Sequence, residues 1–372
     1  MKGCLLKLAL GECITTFNLE NAVCNHGFFM MAPNFWNPST KTLLRPLRLA
    51  NSITSVIASI SHPSPPDNTF IIIQLHDIFK ISLEDEKAIL EQVARMLRIS
   101  EGDERNVIEF QKMHPEAKRK GFGRLFRSPT LFEDAVKCIL LCHCKWPRTL
   151  EMAKALCELQ AELAGNIVKH PTKIGLKRKQ QATQKQSKVN KNCSNPQLLE
   201  DNIIRVQALG NFPSSKELAT LKVKDKDKED FLQKRCNLGL RAHYIIEFAV
   251  RVESGKLNLK KFEEAFGRAS SYKEIYKKLK KINGFGSYVC ANLMMCIGFY
   301  QMVPVDSETK RHLQQVHKRK KENARKDIKL IYDKYAPFQG LSYWLELLEY
   351  YENKCGKLSM LPNSSYHTVT GS

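Results

Sequence analysis

The sequence predicts an α+β fold that is mostly helical, with an N-terminal antiparallel β layer packed on a larger helical domain. Three observations lead there. Residues up to about 75 are rich in β-branched and aromatic side chains and are broken by Asn-Pro and Pro-rich turns, as short strands are. From Leu83 the apolar period becomes helical, with Ile89, Val93 and Leu97 on one face of Asp85 to Leu97. Further on, two helical patterns meet at the tight hairpin Asn283-Gly284-Phe285-Gly286.

Taken in order, the chain divides into a β-rich layer (1–100), the first part of the helical domain (101–164), a basic insertion (165–200), the rest of the helical domain (201–354) and a loose tail (355–372). In the first layer Phe17-Asn18-Leu19, Ala22-Val23-Cys24 and Gly27 to Pro33 read as β segments. Leu43 to Leu49 reads as an edge strand, because Pro46 cannot donate to a central ladder. Ile53 to Ile60 and Phe70 to Leu75 complete an antiparallel sheet. Asn106 to Met113 is a short helix. Ser128-Pro129-Thr130 then starts the apolar helix Leu131 to Cys144, which Trp146-Pro147-Arg148 interrupts before a helix resumes over Thr149 to Ala164. Gly165 to Gln197 carries eight lysines and arginines and no acid, a composition that cannot bury enough apolar surface to fold alone. Within it Lys177-Arg178-Lys179 reads either as a nuclear import signal or as a solvated linker. Beyond the hairpin, Arg311 to Tyr335 reads as one long charged helix.

Composition narrows the function. A formal charge of +21 points to a polyanionic partner, nucleic acid ahead of an anionic membrane, although part of the excess sits in the insertion. Twelve cysteines are scattered with no Cys-x2-Cys pair, so buried free thiols are expected rather than disulfides, zinc or an iron–sulfur loop, as in a reduced intracellular protein. No apolar run reaches membrane-spanning length, and Met1 to Leu10 lacks the cleavage site of a secretory signal.

The chemistry gathers around the hairpin. Ile275, Leu279 and Ile282 make a core stripe, leaving Lys273, Lys277, Lys278, Lys280 and Lys281 elsewhere on the helix. Gly284 and Gly286 permit positive φ and remove side chains that would block a phosphate, and the helix starting at Ser287 offers free N–H groups to an anion. Such a contact reads nucleic-acid backbone rather than sequence. An ordinary interhelical turn is the plainer alternative. Twenty residues past Gly286, Val303-Pro304-Val305-Asp306 places a carboxylate at the start of another helix, where it either caps Ser307-Glu308-Thr309 or acts chemically. The two roles are compatible.

The run from Asn283 to Asp306 resembles the helix-hairpin-helix, Gly/Pro turn and Asp of the HhH-GPD superfamily of base-excision DNA glycosylases. The likeness extends along the chain. Phe17-x-Leu19 with His26-Gly27-Phe28-Phe29, then Leu238-Gly239-Leu240-Arg241-Ala242-x-Tyr244-Ile245, then Ala336-Pro337-Phe338-x-Gly340 with Trp344, resemble segments of the 8-oxoguanine glycosylase branch in family order. The whole is similar to plant members. The resemblance implies that Asn283, Gly284, Phe285, Gly286 and Ser287 grip DNA and that Asp306 is the catalytic carboxylate. It also implies that His143 fills the gap left by a flipped base while Arg148 contacts the opposite strand or base. For that segment a bent turn with Trp146 packed remains the alternative.

Two departures refine this. Asn283 stands where the family has Pro. Tyr288 stands where bifunctional members have a Schiff-base lysine; monofunctional alkyl-base glycosylases have an aromatic there, so Tyr288 either lines a base pocket or packs the helix. Base removal without strand cutting is therefore expected, on double-stranded DNA holding a damaged base, by a nuclear protein, with organellar targeting left open. A monomer is expected. No cofactor is needed, although the hairpin carbonyls could hold a structural monovalent cation, as in relatives. The rival expectation is a binding module of the same scaffold that recognises lesions without cleaving.

Overall fold

The computed structural model describes residues 3–165, 196–221, 226–266, 271–320 and 323–371. Five strands, β1 (Leu5–Ala9), β2 (Phe35–Asn37), β3 (Thr42–Arg48), β4 (Ser55–Ser61) and β5 (Phe70–Leu75), form one antiparallel sheet in the order β1-β5-β4-β3-β2. Leu43 and Leu47 of β3 and Val56, Ala58 and Ile60 of β4 face the main core, while Leu44 and Ile57 face the other way. This is the period-2 alternation of a sheet covered on both sides.

The helices are α1 (Leu19–Val23), α2 (Leu83–Leu97), α3 (Glu101–Met113), α4 (Pro115–Lys120), α5 (Leu131–Leu141), α6 (Trp146–Leu163), α7 (Pro196–Leu209), α8 (Ser215–Ala219), α9 (Lys226–Arg235), α10 (Arg241–Glu253), α11 (Lys260–Glu264), α12 (Ser271–Leu279), α13 (Ser287–Ile297), α14 (Ser307–Gln315), α15 (Ala324–Tyr332) and α16 (Gln339–Cys355). Half begin on a side-chain cap among the described residues, and of these Ser82, Ser100, Thr130 and Ser214 each accept the N–H three residues on. No helix among the described residues is long and apolar enough to cross a membrane.

Several expectations change. Ala22-Val23-Cys24 is not a strand: Asn18 accepts the Asn21 N–H and starts α1, and Gly27–Met30 is a 3-10 turn. The first ten residues supply a strand that the sequence reading missed. β3 is second from the edge, yet the argument from Pro46 survives locally. Pro46 faces Ile57, whose carbonyl accepts from His76 on the β5 side. The Pro46 nitrogen therefore points past the end of β2, where no donor is wanted. Trp146-Pro147-Arg148 does not interrupt a helix but forms the first turn of α6, with Pro147 suited to it; the break lies at 142–145. The long helix expected over Arg311 to Tyr335 is two. Lys318 takes φ 55° and the Arg319 N–H returns to the Leu313 carbonyl, closing the end of α14.

The tail is packed, not loose. Trp36 Nε1 donates to the Ser359 carbonyl (2.9 Å) and Trp146 Nε1 to that of Tyr366 (2.8 Å), and Leu358, Tyr366 and Val369 are buried. No local pattern announced this, because the partners are more than 200 residues away. The basic insertion and its Lys177-Arg178-Lys179 lie outside the described residues, apart from its ends. Eleven described cysteines are free thiols, with no disulfide among them.

An ionic cluster fastens the sheet to the helical domain. Arg45 of β3 and Lys137 of α5 hold Glu133 at 3.1 and 2.8 Å, all three side chains buried. Burial alone would raise the Glu133 pKa, but the two cations hold it down at about 2. Glu133→Ala leaves both cations buried without a counter-charge, so a loss of about 3–5 kcal/mol is expected in urea unfolding at pH 7. Because the Glu133 pKa is depressed, this contribution is present above the ordinary glutamate range and is lost as pH falls from about 4.5 toward about 2.

Candidate active site

The site is organised by α13, whose residues from Val289 to Ile297 are all buried. Its two ends are treated differently. At the C-terminal end Arg98 Nη2 and Arg127 Nη1 donate to the carbonyls of Met295 and Cys296, both at 2.7 Å. Buried guanidiniums there complement the negative end of the helix dipole. At the N-terminal end Gly286 supplies no side-chain cap, so the first amides of the helix, at Ser287, Tyr288 and Val289, have no intrahelical acceptor. Gly286 and Ser287 are exposed, and so are Lys273, Lys277, Lys278, Lys280 and Lys281 on the approach, while Ile275, Leu279 and Ile282 are buried as the stripe requires. The result is an anion seat with a basic surround.

The two hairpin glycines differ from expectation in their reasons. Gly284 has φ 81°, and a Cβ there would lie 2.6 Å from Tyr244, so it serves a turn and a close packing contact. Gly286 has φ −66° and open space around it. Its bareness keeps the amides accessible; conformational freedom is not the point. Asn283 donates to Glu247 Oε2 at 2.8 Å, which ties the hairpin to α10, and Phe285 is buried against Phe248.

Asp306 and Tyr288 line one cavity of about 770 Å³. Asp306 caps α14, accepting from the Thr309 N–H (2.8 Å) and hydroxyl (2.9 Å), so its carboxylate is fixed in place. Burial pushes its pKa above the ordinary aspartate value, the Thr309 bonds opposing this, and among the described residues no Lys, Arg or His pairs with it. The other carboxylate on the wall, Glu308, is neutralised by Arg311 and bonded by the Tyr351 hydroxyl (2.8 Å). One carboxylate is thus compensated and one is not. Tyr288 has a phenol held un-ionised, first by burial and then by the Asp306 charge.

The opposite wall is aromatic. His26 packs on Trp344 (4.5 Å between ring centres) and edge-on to Phe28 (4.6 Å). Burial, then the charges of Arg98 and Lys137, lower the His26 pKa to about 3, so the ring is neutral near pH 7. Val369, Thr370 and Gly371 of the tail complete the rim. Asn292, one turn after Tyr288, also faces the cavity, and Lys145 is the one lysine on its wall among the described residues. The sequence reading had not placed His26, Asn292, Glu308 or Arg311 here. The signal for Asn292 was available: it lies four residues after Tyr288, on the same helix face.

His143 and Arg148 flank the cavity but do not line it. His143 is exposed at φ 47° in the turn between α5 and α6, a turn that Arg241 braces by donating to the carbonyls of Cys142 and His143. Arg148 is turned to Asn237, donating to its carbonyl (3.1 Å) and side chain (3.2 Å). Leu240, beside Arg241, is a large apolar residue left 78% exposed on this same face, and sequence reasoning missed it. Trp146 of the adjoining helix is packed, as the plainer reading of that segment had it.

No family model and no curated protein matches the chain. Solved structures do. The chain is similar to MBOgg1 in complex with a low-affinity DNA ligand, with a TM-score of 0.55 and 20% identity over 93% of this chain and 95% of that one. It is also similar to the 3-methyladenine DNA-glycosylase from Archaeoglobus fulgidus, with a TM-score of 0.52 and 15% identity over 93% and 98%. At these identities the likeness is one of fold, and it runs nearly end to end.

Proposed function

We propose that the protein is a monofunctional DNA glycosylase. It grips duplex DNA at the 283–287 hairpin, takes a damaged base out of the helix and hydrolyses the bond between that base and its sugar. One observation carries this reading: an uncompensated, rigidly held carboxylate and a tyrosine share a cavity with room for an extruded base, next to an anion seat. The similarity in fold to a DNA glycosylase supports it.

The chemistry follows from the charges. Breaking the glycosidic C–N bond leaves positive character on the sugar, and Asp306 stabilises it because no resident cation has already spent its charge. Water then adds to the sugar carbon; its surplus proton ends on the departing base or is taken up by Asp306. Neutral His26 with Trp344 offers a π surface against which an extruded base stacks without an unpaired charge being buried. Extrusion costs a few kcal/mol, least for a mispaired or damaged base. In this reading His143 and Leu240, both exposed, occupy the vacated stack. No cofactor is invoked. The carbonyls of Leu279, Ile282 and Gly284 each accept one turn N–H and keep a second lone pair, and in this proposal a monovalent cation at the hairpin has a structural role only. The protein acts as a monomer in the nucleus in this proposal.

A panel of duplexes, each with one lesion, tests it: incubation with protein followed by alkali should break the strand at one or more lesions, and without alkali it should not. Tight lesion binding with no abasic product on any duplex would instead identify a binding module. The hairpin has its own test. Gly286→Asp puts a better cap on α13 into open space, so thermal stability should hold or rise slightly. The same carboxylate repels a phosphate, so DNA affinity by fluorescence anisotropy should fall about tenfold or more.

A further inference from the structure

We propose that His312, His317 and Glu346 form a binding site for a divalent transition cation of the zinc class, separate from the Asp306 cavity. The three ligand atoms lie within 4.8 Å of one another and come from three places in the chain. His312 is on the last turn of α14, His317 follows that helix, and Glu346 is on α16. His312 Nε2 and His317 Nε2 stand 3.1 and 2.7 Å from the same oxygen, Glu346 Oε2, and the Tyr332 hydroxyl of α15 reaches it at 2.5 Å.

Three features select a cation over a plain hydrogen-bond network. A single carboxylate oxygen is the focus of three side chains, although such an oxygen is well served by two. Among the described residues no lysine or arginine pairs with Glu346, so its charge has no permanent partner in this partly buried place. The loop that carries His317 also turns back at Lys318 (φ 55°), where the Arg319 N–H closes α14 on the Leu313 carbonyl, and His317 itself reaches Glu346 of α16.

The donor set chooses the ion. Two imidazoles and a carboxylate suit zinc and its neighbours, whereas magnesium and calcium want six or more oxygens. Tetrahedral bonds of about 2.0–2.1 Å set ligand atoms about 3.3 Å apart, so His317 has to move out from Glu346 by roughly half an ångström. It is free to do so, being partly exposed, as Glu346 is, which also gives the ion a way in. A cation here would clamp α14 to α16. The site lies about 9 Å along α14 from the Asp306 cap, so its role is to fix the helix and not to act on substrate.

The test uses the full chain, stripped with a chelator and titrated with zinc against a chromophoric competitor. One zinc per chain should bind, raising the melting temperature, with no such rise from magnesium or calcium. His317→Ala and Glu346→Gln should each weaken binding roughly 100-fold or more while leaving the circular dichroism unchanged. The partly exposed His62→Ala should leave zinc affinity unchanged. Unaltered affinity in His317→Ala, or no zinc binding by the wild type, would overturn the proposal. So would thiolate charge-transfer bands in the cobalt-loaded protein, which would place the ion on cysteines.

Discussion

Asp306→Asn is expected to lower the rate of base release by about 10²–10³-fold, the loss typical of removing one charge-stabilising group. DNA affinity should be nearly unchanged, because the hairpin and the lysines that carry it are untouched. The same substitution should leave the protein more stable, not less. Asn caps a helix about as well as Asp, so α14 keeps its start. The Asp306 pKa is raised in the folded state, so the fold favours the protonated acid. That favourable contribution is complete below the unfolded value of 3.8 and is lost as pH rises through the folded pKa. At pH 7 the wild type therefore holds an ionised group in an unfavourable place. Asp306→Asn should melt higher at pH 7, by ~2 °C or so, and the gap should close near pH 3.5. In single-turnover assays the wild type should lose activity on the acid side at a pH above that of an ordinary aspartate, since the ionised form does the work. A variant that lost stability and activity together would mark Asp306 as a cap alone.

Tyr288→Lys is the second large effect. The wild type should yield no covalent adduct when borohydride is added during turnover, because a phenol cannot form a Schiff base. A lysine at 288 would enter a site where burial has already raised the Tyr288 pKa. Burial lowers the pKa of an amine and so frees its nucleophile near neutral pH. A trapped protein–DNA band and strand breaks without alkali should appear in the variant from a background of none. Adducts already present with wild type would show that another amine, with Lys145 the first to test, reaches the sugar.

What the sequence made legible is what is written locally. The helix start at Thr130, the stripe Ile275-Leu279-Ile282 and the placement of Asp306 as a cap are short-range chemistry, whereas Ser100 starts α3 five residues ahead of the expected Asn106. The cavity wall opposite Asp306 is not. His26 and Trp344 stand 318 residues apart in the chain, and only the packed fold stacks them. The strands were half legible for a related reason. Apolar residues over 19–31 suit either state, and two polar side chains, Asn18 and His26, decide for helical turns by accepting nearby N–H groups. The break in the Arg311 to Tyr335 segment was hidden because nothing in its composition forbids a helix; a tertiary focus at Glu346 draws His317 out of line.

The packed tail has a practical bearing on how the protein is handled. Tyr350 donates to the Gly371 carbonyl, and a Cβ on Gly371 would collide with Glu308 and Arg311. Chain attached beyond Gly371 thus starts beside the Asp306 cavity, which Gly371 lines. A C-terminal purification tag or fluorescent fusion would crowd that cavity, and its charge would sit among the groups under assay. Leu5, by contrast, begins a strand at the far edge of the sheet from β2. Among the described residues none before Asn25 lines the cavity, so handles for immobilisation or detection belong at that end.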